Sequence, residues 1–198
     1  PAVVDGPALE PGCASFVGLL PAPLCFGMTA GETARWLVRE LGLNVELHVA
    51  RAQGFRRGVM TAWPEPWVPA SRAVRSLASA ECFPMTVLLE ALPALDHGRR
   101  SDRPFQRVGA PWLEPERMCA ALEDQALPGV AFAPETYAAG GPSAVQLPGV
   151  RLRVTDPEAV LPVRTAVTLL AVLRDVYGHD RVWGDPRTRP DFFDRLAG

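Results

Sequence analysis

Residues 29–50 read Thr29-Ala30-Gly31-Glu32-Thr33-Ala34-Arg35-Trp36-Leu37-Val38-Arg39-Glu40-Leu41-Gly42-Leu43-Asn44-Val45-Glu46-Leu47-His48-Val49-Ala50, and this stretch decides the fold class. Thr29 and Glu32 stand three apart, the spacing of a capping box: the hydroxyl accepts from the N–H of residue 32 while the carboxylate reaches back to the N–H of Thr29. Ala34, Leu37, Val38 and Leu41 then form one apolar face at helical spacing, and Gly42 is a natural stop. The pattern predicts a helix to about Leu41. Asn44 to Ala50 alternates polar and apolar, as a half-buried strand does. A helix leading into a strand is the pattern of an α/β unit.

Outward from this unit, residues 1–28 are rich in Pro and Gly, with one apolar run from Phe16 to Leu20 that reads as a short strand. Residues 52–69 are loop-like and hold Trp63 and Trp67. A short helix is expected over 72–80, and a strand over Met85–Leu92, which Pro84 and Pro93 bracket. Glu114–Ala126 reads as a second helix with Pro115 in its first turn. Residues 130–134 and 150–154 read as strands, the latter with Arg151 and Arg153 on one face. Pro162 opens a long helix that Gly178 closes, and Asp191–Leu196 reads as a last short one. There is no internal repeat. The change of pattern places a domain boundary near residue 106, giving parts 1–106 and 107–198.

The composition narrows the class. The 198 residues are 48% hydrophobic and 21% charged, with 20 basic and 22 acidic side chains, a net charge of −2. That is length for one domain or a little more, apolar enough for a packed core and against global disorder. The 17 glycines and 21 prolines predict many loops. Near-neutral charge removes the electrostatic case for nucleic acid. Every basic residue is arginine, which a codon bias toward Arg and Ala explains; a role in gripping carboxylate or phosphate favours the same residue. No run reaches the roughly 18 apolar residues of a membrane span. Cys13, Cys25, Cys82 and Cys119 include no C-x-x-C pair, which argues against zinc and thioredoxin-like chemistry, and free, mostly buried thiols are expected. The start lacks Met and a signal-peptide pattern, so the expectation is a piece of something longer.

Several phrases, in order along the chain, resemble the exo-β-N-acetylmuramidases of the NamZ type. Pro23-Leu24-Cys25-Phe26-Gly27-Met28-Thr29-Ala30-Gly31-Glu32-Thr33-Ala34 is similar to the family's P-x-x-x-G-M-T-x-G-E-x-A, and Pro66-Trp67-Val68-Pro69-Ala70-Ser71 to its P-W-V-P-P-S. Asp102-Arg103-Pro104-Phe105-Gln106-Arg107-Val108-Gly109-Ala110-Pro111-Trp112 resembles T-R-P-F-E-x-x-G-A-P-W. Leu127–Val130, Val145–Leu147 and Val154–Asp156 match late phrases. The resemblance implies a glycosidase that removes terminal N-acetylmuramic acid from peptidoglycan fragments. It implies a Rossmann-like N-terminal domain, of which this chain holds the end, and a smaller C-terminal α/β domain. The remaining N-terminal half of the same protein would be a partner in the cleft.

The departures are chemical. The family's E-G-T-N-x-S-E-G-R-G-T loop corresponds to Glu90–Ser101, where the Thr-Asn pair is lost and the second acid becomes His97. The Arg-His before G-M-T becomes Cys25-Phe26, and the Pro-Asn of S-P-N becomes Arg72-Ala73. A site built to hydrogen-bond its substrate loses discrimination when such groups go. Decay of activity or a changed substrate is the expected result.

Glycoside hydrolysis generally uses two carboxyl groups, one giving a proton and one attacking or activating water. The candidates are Glu90 and Asp96, with Asp102 as a third, all in or beside the charged stretch 96–107. Arg99 and Arg103 are candidates to grip the lactyl carboxylate of muramic acid with two-pronged bonds; the alternative is that they pair with neighbouring acids to brace the loop. His97 is a candidate proton shuttle or substrate contact, and Trp67 a stacking platform for a sugar ring. His48 reads as structural or exposed. The chemistry calls for no metal and no cofactor. The expected partner is a muramyl saccharide or peptidoglycan fragment. A reading of another class stands beside the enzyme: a non-catalytic saccharide-binding module that outlived its active site.

Overall fold

The capping box at Thr29 forms in the computed structural model, which describes residues 3–14, 18–57, 68–140 and 144–184. Glu32 N–H donates to Thr29 Oγ1 at 3.3 Å and Thr29 N–H to Glu32 Oε2 at 2.8 Å, and helix α1 follows as Ala30–Glu40. The Arg57 guanidinium closes over this end, donating to the Gly27 carbonyl and to the Glu32 carboxylate. Those bonds, with the Thr29 N–H, hold the Glu32 carboxyl at about 2. Two short strands, β1 Val4–Asp5 and β2 Cys25–Phe26, pair antiparallel beside it.

The strand expected over Asn44–Ala50 does not form. A strand needs a partner edge for its N–H and C=O groups, and none of the described residues offers one to this segment. Val45 and Leu47 are exposed, so the alternation has nothing to bury against. The run Phe16–Leu20 falls partly outside the described residues. The strand expected over Met85–Leu92 is helical instead. Helix α2, Leu77–Thr86, starts at Ser76, whose Oγ accepts from Ser79 N–H at 3.2 Å, and passes into a 3₁₀ turn at Val87–Ala91. Ser79, Cys82, Met85, Thr86 and Leu89 are its buried residues, the last four spaced i, i+3, i+4, i+7; that spacing emerges only when the reading starts before Pro84.

Strands β3 Arg107–Gly109, β4 Val130–Ala139 and β5 Val145–Val154 form one antiparallel sheet in the order β3-β5-β4. Side chains alternate across it. One face sends Val108, Val150 and Leu152 into the core, against Met85 of α2, Met118 and Leu122 of α3 (Pro115–Glu123), and Leu169 and Leu173 of α4 (Pro162–Tyr177). Each such side chain contributes roughly 1.5–3 kcal/mol on burial. Helix α5, His179–Trp183, adds Val182. The core is continuous from Cys82 to Val182 and so spans both sides of residue 106. The architecture is mixed α/β, as expected, and α1, α3 and α4 fall where their patterns put them. The helix expected over Asp191–Leu196 lies outside the described residues. No described helix is long and apolar enough to cross a membrane.

One contact ties the first segment to the last long helix. Asp5 Oδ2 accepts from Val163 N–H at 2.6 Å and from Arg164 N–H at 3.2 Å. Helix α4 has no capping side chain of its own, and a carboxylate at a helix N-terminus satisfies free N–H groups while meeting the positive end of the dipole. All four cysteines are free thiols; Cys82 and Cys119 are buried, Cys25 half-buried and Cys13 exposed.

Candidate active site

The 3₁₀ turn ends by presenting Glu90 at the surface, and the loop 96–106 folds back beside it. Glu90 Oε1 accepts from Arg99 Nη1 at 3.1 Å and lies 3.4 Å from His97 Nε2. The carboxylate side chain is 37% exposed and the imidazole 12%. The His97 ring leans on Phe105, centroids 5.3 Å apart. His97 Nε2 is buried without hydrogen-bond geometry to any described group. Burial pushes the His97 pKa below the ordinary histidine value, against the pull of Glu90 and Asp96. The imidazole is therefore neutral near pH 7 and sits against a carboxylate, an arrangement able to accept or relay a proton.

Asp96 begins the loop and is held on every side. Its backbone exchanges two 2.8 Å hydrogen bonds with Gly109. Its Oδ1 accepts from Gly98 N–H at 2.7 Å and from Tyr137 O–H at 2.7 Å. Burial and the Asp96 carboxylate push the Tyr137 phenol far above its ordinary value, so it remains a donor. The Tyr137 ring lies over Gly109 and Gly149, a facing pair on β3 and β5; a Cβ on Gly109 would come within 2.6 Å of the phenolic oxygen. Glycine at both positions makes room for the ring.

Arg103 and Arg107 are engaged by acids. Arg107, 3% exposed, bonds Asp102 Oδ1 at 2.5 Å, Ser101 Oγ at 2.8 Å and Glu135 Oε1 at 2.6 Å. Its guanidinium also stands 4.7 Å over the Tyr137 ring. Burial works against the Arg107 charge, and Glu135 and Asp102 outweigh it, so its pKa lies above the usual value. The same pairing holds the Asp102 carboxyl below its usual range. Arg103 Nη1 lies 3.4 Å from Glu135 Oε1.

The loop closes on a strained residue. Phe105 has φ +64° yet is buried, a conformation that a bulky side chain rarely adopts. Phe105 N–H donates to His97 O at 3.0 Å, Thr86 Oγ1 donates to Phe105 O at 2.8 Å, and the ring packs 4.9 Å from Phe83. Such over-determined strain persists where the surroundings fix it and clusters at functional sites.

The structure thus brings Glu90, His97 and Arg99 together and sets Asp96 and Arg103 in the adjoining network. Trp67 and Trp63 lie outside the described residues. Trp112 packs on Tyr177, centroids 5.1 Å apart. His48 is exposed, its Nε2 2.9 Å from Glu46 Oε1. Sequence reasoning missed Tyr137, Glu135 and the strain at Phe105. The alternation of β4, which puts Glu135 and Tyr137 on the face opposite the core, carried that signal. An apolar groove of about 470 Å³ lies elsewhere, walled by Pro7, Leu9, Leu20, Leu24 and Phe26, and holds none of the candidate residues. Among the described residues no group of three His, Cys, Asp or Glu side chains is placed to hold a metal ion.

Comparison with known families fits this chain in two adjoining pieces. The N-terminal part of the family described as exo-beta-N-acetylmuramidase NamZ matches residues 1–78, and its C-terminal part matches residues 81–198. The chain belongs to the NamZ family. It is similar to the peptidoglycan beta-N-acetylmuramidase NamZ of Bacillus subtilis (strain 168), with 31% identity across 98% of this chain and 47% of that protein. It is also similar to a crystal structure of a DUF1343 family protein from Bacteroides fragilis NCTC 9343, with a TM-score of 0.82 and 25% identity over 99% of this chain and 53% of that one. The chain spans about half the length of each. Glu90, Asp96, His97, Arg99 and Arg103 all fall in the part matched by the NamZ C-terminal piece.

Proposed function

We propose that the protein acts as a glycosidase on peptidoglycan fragments that end in N-acetylmuramic acid. The observation that carries this reading is the Glu90 cluster: an accessible carboxylate flanked by a neutral, largely buried imidazole and an arginine, beside a strained loop. Glu90 acts as the proton-transferring carboxyl, with His97 against its Oε1 (3.4 Å). Asp96 is the second carboxyl. Tyr137 and Gly98 both bond its Oδ1, which orients the group. Arg99 holds Glu90 Oε1 at 3.1 Å, and Arg103 steadies Glu135 and the loop. Trp67 serves in this reading as a stacking platform for a sugar ring. NamZ membership and the activity for which the Bacillus subtilis relative is named support the reading. The chemistry draws on carboxyl groups alone, with no metal or cofactor.

The core from Cys82 to Val182 argues for a division near residue 80, with α2 opening the second unit. Nine of the eleven exposed large apolar side chains among the described residues lie between Val4 and Val68. We read this surface as the place where the further polypeptide of a longer protein packs. The test is release of free N-acetylmuramic acid from a disaccharide with a terminal muramyl residue. Release that falls at least about a hundredfold in Glu90→Gln, in keeping with a lost acid–base catalyst, supports the reading; a folded protein that never releases the sugar refutes it.

A second reading has its own observation. Glu90 is already bonded by Arg99, and the second acid of the family loop is His97 here. A paired carboxylate and a lost acid suit a saccharide-binding module without turnover. Calorimetry separates the two: binding of the muramyl disaccharide with no product over hours favours the module.

A further inference from the structure

The sheet face opposite the core carries a row of arginines whose neutralisation is incomplete. Arg107 on β3 stands directly across from Arg151 on β5. Leu152 N–H donates to Gln106 O and Ala110 N–H to Pro148 O, so the Arg107–Arg151 couple falls between the bonded rungs, where facing side chains come closest. Like charges directly opposite each other destabilise a sheet. Arg107 is offset by Asp102 and Glu135. Among the described residues no hydrogen bond or ion pair engages the side chain of Arg151 or of Arg153, two positions along the same face, and Arg151 Nε is buried with no acceptor. Beside Arg151 and Arg153 the register sets Ala133 and Ala131 of β4, side chains too short to cover the two guanidinium groups. A buried donor left without a partner is costly and calls for an acceptor.

We infer that Arg151 and Arg153 form an anion-recognition site that takes a carboxylate of the acidic sugar fragment. This rests on the muramidase reading and deepens it. Arg99 and Arg103 already touch Glu90 and Glu135, whereas Arg151 and Arg153 have donors to spare. Arg107 links the two regions, since its other side bonds Ser101 and Asp102 of the candidate loop. A pair of planar guanidinium groups on one strand suits a two-pronged grip on a carboxylate.

The experiment is calorimetric binding to Glu90→Gln protein, in which turnover is slowed. The probes are a disaccharide with a terminal N-acetylmuramic acid, the same disaccharide with its lactyl carboxylate methyl-esterified, and one whose lactyl group carries a dipeptide. The free acid should bind about tenfold or more tightly than the ester. Adding Arg151→Gln and Arg153→Gln should erase that difference while leaving ester binding unchanged. Arginine dependence retained with the dipeptide assigns the site to peptide carboxylates; its loss there assigns it to the lactyl group; either supports the site. Acid and ester that bind alike, with the arginine variants indistinguishable from their parent, overturn the site and leave the muramidase reading standing. No binding of any probe removes both. Arg153 is exposed, so Arg153→Gln alone keeps the fold; if the double variant unfolds, unchanged free-acid binding in this single variant overturns the site and weakened binding supports it.

Discussion

Tyr137 shows how a single hydroxyl organises the candidate site. Its O–H reaches Asp96 from a neighbouring strand, and its ring rests under Arg107. A hydrogen bond to a charged acceptor contributes about 1.5–3 kcal/mol, so Tyr137→Phe should lose that much in denaturant unfolding while the ring contact with Arg107 survives. His97 supplies a second residue-scale expectation. Its pKa is lower in the folded state than the ordinary 6.5, so the unfolded chain binds the proton more readily. The contribution is fully present above 6.5 and is lost as pH falls through the folded value. The melting temperature should therefore drop between about pH 7 and pH 5, and His97→Asn should flatten that slope; an unchanged slope would show that His97 is not the responsible group. Glu90, Asp96, His97, Arg99 and Arg103 were legible because they sit in one charged stretch whose local spacing brings them together. Glu135 and Tyr137 were not: alternation along β4 puts them on one face, but which loop that face meets depends on a long-range strand register.

At the level of elements, capping and turn chemistry were read correctly, and the strand expectations divided: residues 130–134 and 150–154 lie within β4 and β5, whereas Asn44–Ala50 and Met85–Leu92 form no strand. Thr29–Glu32, Pro115, Pro162 and Gly178 act within one turn of themselves, so their meaning is fixed by neighbours in sequence. The strand expected at Asn44–Ala50 required a partner, and alternation says nothing about whether one is present. The run Met85–Leu92 was short enough to fit either period, and its helical burial is set by Cys82, which lies outside the run. The loop 96–106 has an element-scale expectation of its own. Gly98 has φ +68°, and a Cβ there would stand 3.0 Å from Arg103 O and 3.2 Å from Arg107 Cβ. Gly98→Ala should cost more than about 1 kcal/mol and loosen the loop, so hydrogen exchange at Ser101 and Phe105 N–H should quicken. Helix α4 gives another. Asp5→Ala removes its borrowed cap and should cost about 0.5–2 kcal/mol, read as a lower denaturation midpoint with unchanged slope.

Across the whole molecule, buried apolar residues and exposed ones divide along the chain. Among the described residues the buried apolar set runs from Cys82 to Val182, whereas Leu41, Leu43, Val45 and Leu47 are exposed and the last two lie outside any helix or strand. Backbone without ladder bonds or packing is where proteases cut first. Limited proteolysis should therefore cleave within residues 41–57 and leave a resistant fragment that includes α2 through α5; initial cutting between β4 and β5 would contradict this division. The mixed α/β class was readable from the alternation of helix and strand signals, but the extent of the core was not, because it depends on which faces meet.

The Asp5 contact has a kinetic consequence. The carboxylate and the helix start it serves are separated by 158 residues. Closing so long a loop demands entropy before the contact returns anything, so this bond forms after the sheet and its helices have assembled. Its loss in Asp5→Ala should leave the refolding rate nearly untouched and appear almost entirely as faster unfolding. The aspartate then works as a latch, setting how long the assembled protein lasts rather than how quickly it is made.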